Sequence, residues 1–359
     1  MRSEPSLVLK PSKDYPLHIT AKRYRPDSSS DPPQPGAITL VLLHATSLHK
    51  ETWEPTLLRV FELAAKSHRA SVNIHEAWAI ECPNHGESAV LNHAELQAGR
   101  EHHCNFSCKK YAHAVHRFMT AGPVDFGSRR LVGIGHSLGG VAMTILQCLE
   151  PVIPFSSIIL VEPMLSPEGA PVLAGLRKHL IRSACERRDV WSSKTDALKD
   201  MTSRARTSPW DRHALSLYAE HALVPHKGIK WDPPYMGVTL ACTRDEEAAM
   251  YMDDQYVVLM DRNSKVDSLT QIWTSGGSAE PVLDLNRACL EKPVHLILGE
   301  IHDAIPREVQ DALVDPKSGR KFASVTRLKN IGHLIPQQAP DALGYALYAV
   351  LKEKRTSRL

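Results

Sequence analysis

The 359-residue chain has no run approaching the roughly 20 consecutive apolar residues that cross a bilayer, and its start, Met1-Arg-Ser-Glu-Pro-Ser, has no apolar signal-peptide core. The expectation is therefore a protein without a membrane span, made in the cytosol. Charge of one sign is also missing. Lys plus Arg number 43 against 40 Asp plus Glu, a formal net of +3, which offers no electrostatic footprint for nucleic acid or an anionic membrane surface. A disulfide framework is missing too, because the seven cysteines are odd in number and scattered. The one cluster with ligand chemistry is His102-His103-Cys104, with Cys108 four residues on and His113 and His116 shortly after. No second pair at a familiar spacing completes four ligands, so no metal is expected.

The chain does carry a regular alternation of apolar runs and helix-like segments. Residues 7–10 and 17–24 read as paired strands at a sheet edge, the second of them alternating. The runs at 37–43, 75–81, 130–134, 156–161, 293–299 and 323–328 are apolar enough for buried, mostly parallel strands. Helix-like spacing fills 109–120, 140–149 and 340–352. The arrangement predicts an α/β fold with a mostly parallel central sheet and helices on both faces.

The stretch that gives this scaffold a chemistry is Gly135-His136-Ser137-Leu138-Gly139. It stands between an apolar strand and a helix, where two glycines permit a sharp turn that leaves the Ser137 hydroxyl exposed at the sheet's C-terminal edge. A serine so placed is a candidate nucleophile, and it needs a base and an acid. Glu162 comes directly after the 156–161 run, at the tip of a strand neighbouring the nucleophile, and is well placed to orient a histidine. His44, by contrast, reads as a strand-end residue that shapes its loop, and Cys82-Pro-Asn-His-Gly-Glu-Ser88 as a structural turn.

Strand alternation stops after Leu165 and resumes near residue 291. The expected organisation is a core of 1–164 and 291–359 with a helical lid of 165–290 inserted after the sixth strand. Trp210, Leu217, Tyr218, Met250 and Tyr251 are its candidate pocket-lining residues.

Taken together, the elbow, the strand-tip acid and a Gly332-His333 pair between the last strand and the last helix resemble the α/β-hydrolase superfamily. The resemblance implies that His333 is the base and that the loop after the third strand, His44-Ala45-Thr46, supplies the Thr46 amide to an oxyanion hole completed by the Leu138 amide. Ala45 stands where that loop usually has Gly. The usual pattern also places the acid at the third position after Gly299, where this chain has His302, with Asp303 one residue late as the alternative acid.

More narrowly, His44-Ala-Thr-x-x-His-Lys-Glu-x-Trp-Glu-Pro55, Asn84-His-Gly-Glu-Ser88 and Val161-Glu-Pro163 resemble a fungal group of peroxisomal hydrolases. It includes the yeast peroxisomal lipase, toxin-cluster hydrolases and the acyl-CoA hydrolase of mycophenolic acid biosynthesis, and the last of these favours Glu162 over Asp303. The terminal Ser357-Arg358-Leu359 is a variant of the Ser-Lys-Leu address read by the peroxisomal import receptor. These features imply a serine hydrolase without metal or organic cofactor, cleaving an acyl-CoA thioester in the peroxisome, in a fungal secondary-metabolite or toxin pathway. The alternatives are a lipase or carboxylesterase acting on oxygen esters and a non-catalytic ligand-binding relative.

Overall fold

A computed structural model describes the chain except residues 28, 30, 67–71, 102–105, 168–169, 253–278 and 354–359. The main sheet begins with β1 (Arg2–Ser3), β2 (Leu7–Leu9) and β3 (Ile19–Arg25), which are antiparallel to their neighbours. It continues through β4 (Ile38–Leu43), β5 (Ile74–Ile80), β6 (Arg130–His136) and β7 (Phe155–Val161), all parallel. The spatial order is β1-β3-β5-β4-β6-β7 and then two late strands, with β2 beside β3. The strand counted sixth in the sequence is β7 because the two-residue β1 precedes the others.

Residues of one strand sort alternately to the two faces. Leu40 and Leu42 of β4 join a cluster with Trp53, Leu57, Val60, Leu343 and Leu347, while Val41 and Leu43 join one with Phe118, Val141, Met143 and Leu285. A strand apolar on both faces must be covered on both, and each buried Leu or Val contributes roughly 1.5–3 kcal/mol. The covering helices on the first face are α1 (Glu54–Lys66) and, at the end of the chain, Pro340–Glu353. Between β5 and β7 lie α2 (Gly86–Leu91), α3 (His93–Glu101), α4 (Cys108–Ala121) and α5 (Leu138–Leu146). Of these, α4 and α5 cover the second face.

The block after β7 contains α6 (Ala170–Glu186), β8 (Val190–Trp191), α7 (Lys194–Ser203), α8 (Arg212–His221), β9 (Leu223–Pro225), β10 (Val238–Leu240), α9 (Arg244–Met250) and α10 (Ala279–Glu291). It is mostly helical as expected, but β8, β10 and β9 also form a separate three-stranded antiparallel sheet. Strands of two or three residues are too short to show a period of two. Trp191, Met201, Trp210, Tyr218 and Leu240 of this block pack together with Ala45 and Leu48, so it sits against the loop that leaves β4. The chain then completes the sheet with β11 (Val294–Gly299) and β12 (Ser324–Leu328), separated by α11 (Arg307–Val314), and ends with α12 (Ile335–Gln338) and α13 (Pro340–Glu353). No described helix is long and apolar enough to cross a membrane.

Candidate active site

Parallel strands in register deliver their C-terminal tips to one edge. His136 of β6 pairs with Val161 of β7, and Val161 with Ile297 of β11. The next residues continue the ladder, Ser137 N–H donating to Val161 O at 2.9 Å and Glu162 N–H to Ile297 O at 2.9 Å. Both sit at positive φ, 53° for Ser137 and 47° for Glu162. Non-glycine residues adopt that conformation only where the surroundings impose it, as at a strand-to-helix elbow. The two flanking glycines are required by contact. A Cβ on Gly135 would lie 2.4 Å from Gly139 O, and one on Gly139 would lie 2.4 Å from His44 O.

Ser137, His333 and Glu162, up to 196 residues apart in sequence, form one hydrogen-bonded chain. His333 Nε2 is 2.9 Å from Ser137 Oγ, and its Nδ1 is 3.0 Å from Glu162 Oε2. A carboxylate only accepts, so Nδ1 carries the ring proton and Nε2 is free to accept from the serine. Glu162 is 2% exposed, and its oxygens are saturated. Gly299 N–H donates to Oε1 at 2.6 Å, and Gln310 Nε2 of α11 donates to Oε1 and Oε2 at 2.9 and 3.0 Å. Gln310 is itself fixed by Arg327, whose Nη1 donates to its Oε1 at 3.0 Å. These donors lock the direction of the carboxylate.

Asp303, the alternative acid, touches the backbone of His333 and not its ring. Its Oδ1 accepts from His333 N–H at 2.7 Å, and its carboxylate fills the space a Cβ on Gly332 would need. His136 holds the other side of the same residue's backbone, its Nε2–H donating to His333 O at 3.0 Å. Burial keeps His136 neutral, pushing its pKa down to about 3.

The loop after β4 lies against the elbow and is braced by two further neutral histidines. His44 Nδ1–H donates to Ala45 O at 2.8 Å while its Nε2 accepts from Cys82 N–H at 3.0 Å. His85 Nε2 accepts from Ser47 N–H at 2.9 Å, and its Nδ1 faces Asn84 Oδ1 at 2.7 Å. Burial drives the pKa of His44 down to about 3 and that of His85 well below its ordinary value. The left-handed residue of this loop is Ser47, at φ 69°, and not Ala45. Ser47 Oγ donates to Glu247 of α9, which is ion-paired with Arg187 at the end of α6, so the inserted block grips the loop through a buried carboxylate. Thr46 is buried at the turn, and Leu138 opens α5, where a helix leaves its first N–H groups unpaired and favours negative charge.

The pattern of the alpha/beta hydrolase family matches residues 40–344. The chain belongs to that family. It is an α/β-hydrolase whose similar proteins include an acyl-CoA thioesterase. Among the similar curated proteins is the type I acyl-CoA thioesterase mpaH of Penicillium brevicompactum, 27% identical over 207 residues, which are 57% of this chain and 44% of that protein. Another is the abhydrolase domain-containing protein ACTT2-1 of Alternaria alternata, 34% identical over 130 residues, 35% of this chain and 46% of that one. The matched stretches thus span less than half the length of these relatives. Among solved structures, the peroxisomal alpha-beta-hydrolase Lpx1 of Saccharomyces cerevisiae superposes with a TM-score of 0.69, covering 100% of this chain and 90% of that chain at 19% identity. That likeness shows the shared fold.

Several residues lie elsewhere than the sequence places them, or outside the description. Trp210 and Tyr218 line a cavity beside Thr46, whereas Met250 and Tyr251 belong to the core cluster that also holds Leu138 and Val141, and Leu217 is buried. The His102-His103-Cys104 cluster and the Ser357-Arg358-Leu359 address fall outside the described residues. Among those described, no group of three or more His, Cys, Asp or Glu is arranged to hold a metal. Sequence reasoning missed Gln310, Glu247 and Arg187, none of which stands in a recognisable pattern. His85 had a signal, since it lies in the turn read as structural.

Proposed function

We propose that this α/β-hydrolase cleaves acyl-CoA thioesters through an acyl-enzyme on Ser137. The reading rests above all on the Ser137–His333–Glu162 hydrogen-bonded chain at the tips of β6 and β7. A serine hydroxyl is a weak nucleophile at neutral pH, so His333 Nε2 takes its proton as Oγ attacks the carbonyl carbon. Glu162 keeps the proton on Nδ1 and stabilises the imidazolium that forms. The Thr46 and Leu138 amides hold the developing oxyanion, a donor of this kind contributing on the order of 3 kcal/mol. The imidazolium then protonates the departing thiolate, and the same histidine activates the water that releases the acid. The residues suffice for this chemistry without a metal or cofactor.

Block 165–290 acts as a lid on the core formed by 1–164 and 291–359, a division supported by its contacts with the 44–48 loop. The similarity to the yeast peroxisomal protein LPX1, 30% identical over 152 residues, supports residence in the peroxisome, where CoA thioesters are the common acyl currency. The similarity to mpaH, a type I acyl-CoA thioesterase, supports the thioester as the substrate. The test is a thiol-release assay over a panel of acyl-CoAs, beside p-nitrophenyl esters, with Ser137→Ala as control. Thioester cleavage that disappears in Ser137→Ala is expected. Cleavage of oxygen esters alone would make the protein a carboxylesterase or lipase, and no turnover of either would leave a ligand-binding relative.

A further inference from the structure

A cavity of about 200 Å³ opens between the 44–48 loop and the inserted block. Its wall includes Thr46 of the loop after β4 and Leu334, the neighbour of His333. Across from them stand Trp210 and four arginines, Arg187, Arg188, Arg204 and Arg206. The wall has an unusual chemical bias. Thr46 Oγ1, Trp210 Nε1 and Arg187 Nε are buried with no hydrogen-bond partner. Indole and guanidinium N–H groups can only donate, and buried donors left unpaired are rare in folded proteins.

The charges point the same way. Among the described residues, no Asp or Glu lines the cavity. Arg187 is matched by Glu247, Arg188 by Asp196 and Asp200, and Arg204 by Asp200 again. Arg206 has no ion-pair partner among the described residues, and its charge reaches the phenols of Tyr218 and Tyr251. A wall lined by four arginines, one of them a surplus cation, and by no acid is complementary to an anion that carries several acceptor oxygens.

We infer that this cavity is an anion subsite that takes a carboxylate or phosphate borne by the substrate. It rests on the proposed reading only for its position beside Thr46 and the residue that follows His333. At about 30 Å³ per water, the space equals roughly six or seven waters. That admits one such group with a short piece of chain, and Leu48 and Trp210 offer apolar contact to the chain. The anion has two possible sources, a carboxylate at the far end of the acyl group or a phosphate of the thiol carrier.

The test measures kcat/KM ratios between matched substrates with the full chain. p-Nitrophenyl butyrate is paired with the p-nitrophenyl monoester of glutaric acid, which ends in a carboxylate. Butyryl-CoA is paired with butyryl-pantetheine, which lacks the phosphates. Arg206 is exposed, so Arg206→Ala should fold normally. It should lower one charged-to-neutral ratio about tenfold, and Arg206→Lys should recover part of the loss. A fall in the first ratio identifies the acyl carboxylate, and a fall in the second the carrier phosphate. Both ratios matching the unmodified chain would overturn the subsite. If no substrate is turned over, calorimetry decides, with glutarate and inorganic phosphate as probes of the Ser137→Ala chain with and without Arg206→Ala. Binding of either probe that Arg206→Ala weakens keeps the subsite and sinks only the hydrolytic reading, whereas absent or unaltered binding overturns the subsite.

Discussion

Replacing Glu162 by Gln preserves shape and removes one charge, and the geometry of the site sets the penalty. Four donor contacts converge on two oxygens, Gly299 N–H and Gln310 on Oε1, His333 Nδ1–H and Gln310 on Oε2. The side-chain amide of Glu162→Gln must turn its own NH₂ toward one pair. Facing Gly299 and Gln310, it sets donor against donor in a buried site, a cost of about 1–3 kcal/mol. Facing His333, it drives the ring proton from Nδ1 to Nε2, and a protonated Nε2 cannot accept from Ser137. The corresponding amide substitution in a serine protease triad lowers kcat on the order of 10⁴. Glu162→Gln should therefore lose about 10³–10⁴ in kcat on the best substrate, with KM little changed. Asp303→Asn keeps an oxygen for His333 N–H at its present 2.7 Å position and should lose less than about tenfold. Steady-state kinetics of the two variants, with circular dichroism to establish folding, is the assay. An equal or larger loss at Asp303 would refute the assignment of the acid.

Other consequences concern the scaffold. His44 and His136 are pushed down to about 3 by burial, against about 6.5 in an unfolded chain. Between those values the unfolded chain binds protons the native one does not, so stability falls as pH drops. Each histidine should remove about 2 kcal/mol between about pH 7.5 and about pH 5, His85 adding in the same direction. Urea midpoints measured across that range should decline, and a flat profile would contradict the burial argument. Gly139→Ala places a Cβ 2.4 Å from His44 O, a backbone atom that cannot yield cheaply. The variant should lose at least about 2 kcal/mol and most of its activity, read by thermal melting and ester hydrolysis. Lys50 is 1% exposed and paired with Glu81 at 3.1 Å, Glu51 at 3.2 Å and Glu87 at 2.9 Å. Lys50→Met strands those carboxylates and should cost about 3–5 kcal/mol, a loss that shows in the urea midpoint and shrinks as the pH is lowered.

The elbow was legible because its grammar is local: an apolar run, two glycines whose missing Cβ atoms are required by contact, and a helix. The strands were legible because those buried on both faces read as continuous apolar runs, as in Ile38–Leu43. Glu162 could be nominated from its place at a strand tip, yet nothing local separated it from Asp303. Only the folded chain shows that one carboxylate faces the His333 ring and the other its backbone. Gln310 was invisible because a helix position acquires meaning only once α11 brings it to Glu162 at the tip of β7. The Ser47–Glu247–Arg187 contact was invisible for the same reason, joining a loop to a block 200 residues away. Ala45 stands where the resembling loops carry Gly, and the left-handed residue of this loop is Ser47.

The most direct test of the central claim is a rapid-quench measurement of thiol release from the best acyl-CoA, coupled to intact-mass and peptide analysis of the quenched protein. An acyl mass on the peptide containing Ser137 is expected, up to about one per chain. With Glu162→Gln, that adduct should form more slowly. Thiol release that persists in Ser137→Ala, or an acyl mass found on any other residue, would contradict the Ser137 acyl-enzyme.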